Sequence, residues 1–133
     1  MKPPNLVRIP LGLGEFFDRL TIWELKAERF ATAEHLPQVR EHLGILRELE
    51  AQLTIEGDLV SRLERLRREL RDTNAALWDA EDEIRDCEQR NDFGERFVRL
   101  ARSVPRLNDR RSALKAAIDE VFSIPPQDPK EYS

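Results

Sequence analysis

A chain of 133 residues is long enough for one domain with a narrow core and too short for two. Charged residues make up 36% of it, aromatics only 7%, and glycines number 5, which favours long amphipathic helices with wet outer faces over a β-sandwich or a parallel sheet. The 26 acidic residues exceed the 22 basic ones, for a formal net charge of -4, so neither nucleic acid nor an anionic membrane is a default partner.

Residues 1–14 read as an extended arm with charges at Lys2 and Arg8 and prolines at 3, 4 and 10, ending in Leu11-Gly12-Leu13-Gly14 at the entry to a helix. No apolar run in this arm suits a signal core or a membrane span. The single cysteine, Cys87, excludes an internal disulfide, and a cytoplasmic location is expected. From Glu15 to about Phe30, apolar residues recur at Phe16, Leu20, Trp23, Ala27 and Phe30, with Phe17 and Ile22 widening the stripe. Pro37 suits the first turn of a second helix, whose apolar face runs through Leu36, Val39, Leu43, Leu46, Leu49 and Leu53.

After Gly57, Asp58 is the expected N-cap of a third helix. Leu59, Leu63, Leu66, Leu70, Thr73, Leu77, Ala80, Ile84 and Cys87 then alternate steps of four and three, the seam of a coiled-coil-like helix of roughly 33 residues, or about 50 Å. Asn91 to Glu95 interrupts it, with Asp92 and Glu95 spaced as a capping box, so a fourth helix must return antiparallel. Its seam is Phe93, Phe97, Leu100, Val104, Leu107, Arg111, Leu114, Ile118 and Val121, with Pro105 expected to bend it. Residues 123–133 form a polar, proline-rich tail, expected to be extended or disordered. The fold expected is all-α: a long antiparallel helical hairpin with two shorter N-terminal helices packed on it, as one four-helix domain over residues 15–122.

The exceptions to the apolar seam carry the functional interest. Counting from the tip sets Arg111 opposite Thr73, with Asp72, Asn74 and Asn108 within reach; such a layer either fixes the register of the hairpin or offers an anion-binding group at a groove. Beside the seam runs a second stripe, Asn74, Trp78, Glu81, Arg85 and Glu88. The first helix is expected to cover it, with Trp23 and Phe16 against Trp78, and with Asp18, Glu24 and Lys26 pairing its charges. The resulting junction is either a structural ion-pair network or a pocket for a small polar ligand.

The remaining motifs are weaker. Glu15 with Asp18, and Glu83 with Asp86, stand three apart on helices, a spacing by which helical bundles collect Mg²⁺, although Arg85 and Arg90 lie among the second group. His35 and His42 are expected to be surface residues. Arg96, Arg99, Arg102, Arg106 and Arg110 make a basic face of the last helix without interleaved aromatics, which reads as a solvated, paired surface. No nucleophile elbow or glycine-rich phosphate loop is present in the sequence.

Three segments carry a resemblance: Glu15 to Lys26, Leu77 to Arg85, and Arg106 to Arg111. Together they resemble a family of short bacterial all-helical proteins of unknown function, over nearly the whole of Glu15 to Val121. Phe16, Phe17, Arg19 and Trp23 stand where that family's pattern has leucine, leucine, lysine and leucine. The resemblance implies a neighbourhood of glycosyltransferase genes of surface polysaccharides and hence an accessory role. It implies no reaction, and it groups the polar residues of the first helix, the Trp78 stripe and Asn108-Asp109 into one junction.

The expected function is a non-enzymatic helical interaction or accessory module that binds a protein partner or itself as a homodimer, with no cofactor, no nucleic acid and no membrane span. Asp18, Glu24, Lys26, Trp78, Glu81, Arg85, Asn108, Asp109 and Arg111 are its candidate site residues. The alternative is a small-ligand binder or a Mg²⁺-dependent all-α nucleotide phosphohydrolase, which needs Glu15, Asp18 and Glu81 or Asp82 to converge.

Overall fold

The computed structural model describes Asn5, residues 7–29, Thr32 and residues 34–122. The expected end of the first helix at Phe30, residues 1–4 and 6 of the arm, and the tail from 123 to 133 lie outside the described residues. Four helices follow in order: α1 (Leu13–Arg29), α2 (Leu36–Ala51), α3 (Gly57–Gln89) and α4 (Glu95–Val121). The two long ones, α3 and α4, pack along one another as the antiparallel hairpin, with the shorter helices added to it. Among the described residues no helix is long and apolar enough to cross a membrane.

The turn between the long helices is made by Asn91, whose φ of 54 lies in the left-handed region. Asp92 N–H donates to the Cys87 carbonyl at 2.8 Å and Asn91 N–H to that of Glu88 at 3.2 Å, the paired bonds of a Schellman stop. The capping box does not form. Asp92 Oδ1 accepts the Gly94 N–H at 3.2 Å, and Gly94 is the N-cap of α4 without a side-chain cap, because a tight turn spends the carboxylate on its own backbone. Asp58 likewise lies inside the first turn of α3, behind an uncapped Glu56, where its charge still favours the positive end of the helix. The helix continues through Pro105, which loosens one hydrogen bond without ending the run.

α1 is the hub of the molecule. It packs on α2, α3 and α4, whereas α2 packs closely on α1 alone. Phe17, Leu20, Leu63, Leu70 and Ile118, each 2% exposed or less, fill the centre of the core where α1 crosses the base of the hairpin. Each such side chain is worth about 1.5–3 kcal/mol by burial. α1 begins earlier than its apolar spacing suggests because its end is satisfied from α4: Gly14 N–H donates to Asp119 Oδ1 at 2.7 Å, filling a donor that a helix start otherwise leaves unpaired.

Beyond Leu77 on α3 and before Arg111 on α4 this cover stops. On α4 the buried residues are Leu114, Ile118 and Val121, all near the base, while Phe97, Leu100, Val104 and Leu107 are half-buried. Among the described residues, the distal half of the hairpin is therefore an arm of two helices with no third layer.

α2 offers a contrast in its exposed Gly44, where an added Cβ meets nothing within 4 Å. Gly44→Ala is expected to stabilise the protein by about 0.5–1 kcal/mol, since glycine lowers helix propensity and nothing opposes the methyl. Thermal denaturation reads this directly; a lower melting temperature would mean that α2 is more closely covered than it is here.

Candidate functional site

The polar centre of the molecule is Asp18, on the α1 face that crosses the hairpin and only 1% exposed. Arg111 of α4 grips it with two bonds, Nε to Oδ1 at 2.9 Å and Nη2 to Oδ2 at 2.5 Å. Asn74 of α3 donates through Nδ2 to Asp18 Oδ1 at 3.0 Å and to Thr21 Oγ1 at 2.8 Å. Thr21 in turn donates to the Asp18 carbonyl at 2.8 Å. Burial pushes the Asp18 carboxyl upward, but the hydrogen bonds from Arg111 and Asn74, with the charges of Arg111 and Lys115, outweigh it and hold the group below the usual carboxylate range. Arg111 is raised, chiefly by its hydrogen bonds to Asp18 and against desolvation.

The polar layer expected at Arg111 is thus present with a different partner. Asp72 is exposed and Thr73 donates to its own helix at Glu69; the acid comes from α1, because Asp18 sits one turn from the buried Thr21 and is carried into the hairpin by the same face. One bidentate pair and one amide therefore tie α1, α3 and α4 together.

Immediately distal to this layer, beside the last turns of α1, where Arg29 reaches Asp79 at 2.6 Å, lies a cavity of about 450 Å³. Ile22 and Leu25 of α1, Leu77 and Trp78 of α3, and Asn108 and Arg111 of α4 line it, and Glu81, Asp82 and Arg85 form its charged α3 edge. Trp78 is half-buried, with the Arg29 guanidinium 5.7 Å from its ring centre. Arg85 reaches Asp82 at 3.4 Å with both side chains largely exposed. Of the candidate residues, Asp18, Trp78, Glu81, Arg85, Asn108 and Arg111 meet at this place.

Three candidates lie elsewhere. Trp23 does not reach Trp78; it stacks on His42 of α2 at 4.0 Å between ring centres, and Lys26 sits 4.1 Å over the Trp23 ring instead of pairing the stripe. Glu24 faces Arg67 at 3.7 Å and Arg47 at 3.8 Å. Phe16 packs edge-on against Phe17 in the core. The physical reason is the crossing of α1: its Trp23 and Glu24 edge is turned toward α2 and the base of α3, where Arg67 and Arg71 also hold Glu50 and Glu28. Asp109 is exposed and does not line the cavity. Sequence reasoning missed Thr21, Ile22 and Leu25 as parts of the site; the first had a signal in its position three residues after Asp18.

Glu15 is engaged by Lys115 at 2.5 Å and Asp18 by Arg111, and among the described residues no group of three or more histidines, cysteines or carboxylates is placed to hold a metal ion. The convergence that the phosphohydrolase alternative requires is not made by these side chains. Of the arginine face, Arg96 pairs with Glu83 and Asp86, each at 3.3 Å, and Arg110 with Glu69 at 3.9 Å. Comparison with protein-family models, with curated proteins and with solved structures returns no match.

Proposed function

We propose that this protein is a non-enzymatic helical interaction module, with the groove beyond α1 as its receptor surface. The observation that supports this reading is the cavity where the last turns of α1 meet the hairpin, with Leu77 and Trp78 as its apolar floor beside a charged edge of both signs. A Trp-anchored apolar strip rimmed by charge is the composition by which grooves take helices and extended segments. The Asp18–Arg111–Asn74 pin serves this purpose by fixing how α1 crosses the hairpin. An accessory role beside surface polysaccharide synthesis, implied by the sequence resemblance, fits a module of this kind.

The test is site-specific photo-crosslinking in cells, with a benzophenone side chain at Glu81 or at Arg62, both exposed. A defined adduct from position 81 and none from position 62 is expected. Equal labelling from both positions, or none from either, would overturn the proposal.

A second reading, a small-ligand binder, draws on the size of the cavity, which is within the range of ligand pockets. A folded-state ligand must raise the melting temperature. Melting with Mg²⁺, Mn²⁺, nucleotides and nucleotide sugars therefore separates the two, since the interaction module is expected to show no rise with any of them.

A further inference from the structure

Two exposed helix faces of this molecule are opposite in charge and alike in spacing. α2 buries Val39, Leu43 and Leu46 against α1, and its other side carries Ile45 and Leu49, 52% and 46% exposed. Glu41, one turn before Ile45, and Glu48, next to Leu49, are exposed with them, so acids flank an apolar strip. On the distal half of α4, Val98 is 44% exposed, and Pro105, Arg99, Arg102 and Arg106 are exposed around it. Val98 with Arg99 recurs seven residues on as Pro105 with Arg106, the same step that separates Glu41 from Glu48. A step of seven keeps each row on one side of its helix, and each row spans about 10 Å at 1.5 Å per residue.

Neither set of charges is used within the chain. Arg96 and Arg110 pair with acids of α3, but among the described residues Arg99, Arg102 and Arg106 have no ion pair, and neither have Glu41 and Glu48. The two faces do not meet in one chain. α2 packs on α1 and has no contact with α4, and from Arg111, in the layer that holds α1, back to Val98 is about 20 Å of helix at 1.5 Å per residue.

We propose that α2 of one chain docks on the distal half of α4 of a second copy, with Ile45 and Leu49 against Val98 and Pro105 and with Glu41 and Glu48 facing the arginines. The reciprocal contact closes a two-fold dimer. Opposite charges beside an apolar strip are the means by which paired helices choose partner and orientation. A second copy is the occupant because this one chain carries both sides of the match in sign, spacing and length. The docked α2 supplies the third layer that the distal hairpin lacks. The contact does not use the Trp78 cavity, so its failure leaves the receptor reading of that cavity standing.

Sedimentation equilibrium of the full chain tests it. One variant carries Glu41→Lys with Glu48→Lys, the other Arg99→Glu with Arg106→Glu; all four positions are exposed, and folding is checked by circular dichroism. The full chain is expected to be dimeric and to dissociate more readily as salt rises, and each variant alone to raise the dimer dissociation constant at least tenfold. An equimolar mixture of the two variants is expected to regain association, because a basic α2 then meets an acidic α4 at one contact and an acidic α2 a basic α4 at the other. A strictly monomeric full chain, a dimer indifferent to both variants, or folded variants that stay apart when mixed overturns the proposal.

Discussion

Asp18→Ala is expected to destabilise the protein by about 3 kcal/mol, the usual consequence of removing one partner of a buried pair. The substitution leaves the Arg111 guanidinium and the Asn74 amide facing a site from which their shared acceptor is gone. At roughly 4 °C per kcal/mol for a chain of this size, the melting temperature should fall by about 12 °C. Arg111→Met in the same background should recover part of this loss, since an apolar side chain no longer needs the acid, and a double-mutant cycle should show a coupling of about 2 kcal/mol. Independent, additive effects would mean that the pair does not hold α1 to the hairpin. The same contact sets an acid limit. Because the folded Asp18 lies below its ordinary value, its contribution is complete above about pH 4 and is lost as pH falls through the folded value. Asp18→Asn should therefore flatten the acid limb of stability against pH below about pH 4, where the parent protein steepens.

Gly14→Ala is expected to cost about 2–3 kcal/mol, as overpacking does, although alanine alone would gain about 1 kcal/mol in helix propensity. The overlap decides the sign: the new Cβ would stand 2.3 Å from the Lys115 carbonyl oxygen and 2.9 Å from its carbon. Both are backbone atoms, so the first turn of α1 must withdraw from α4, weakening the Gly14–Asp119 bond and the Glu15–Lys115 pair. Urea denaturation should show a lower midpoint with an unchanged slope. The identical substitution at Gly44 has the opposite expected sign, so the two together separate close helix approach from propensity. Net stabilisation at position 14 would contradict the close crossing of α1 over α4.

The hairpin was legible because its two seams repeat over nine positions each, and a pattern of that length specifies both the buried face and the antiparallel return. The placement of α1 was not. Amphipathic spacing states which face of a helix is buried but not which neighbour buries it, and α1 has three neighbours. A tryptophan on each of two amphipathic helices suggested mutual packing, yet the crossing sends Trp23 to α2 and Asp18 to Arg111. Arg111 itself was legible as an exception to its seam. Its acid was not, because the pairing spans 93 residues of sequence while Asp72 adjoins Thr73, the position opposite Arg111 by count from the tip. Trp78 does meet α1, but through the Arg29 guanidinium 5.7 Å from its ring centre and beside Ile22 and Leu25, not through Trp23.

The central claim is that Asp18, Asn74 and Arg111 pin α1 across the hairpin and so hold Ile22 and Leu25 beside Trp78. Acrylamide quenching of Trp78 in a Trp23→Phe background, with and without Asp18→Ala, measures this most directly. The expected result is a larger quenching constant once the pin is removed, because α1 withdraws from the cavity. Unchanged quenching in the folded Asp18→Ala protein would contradict it.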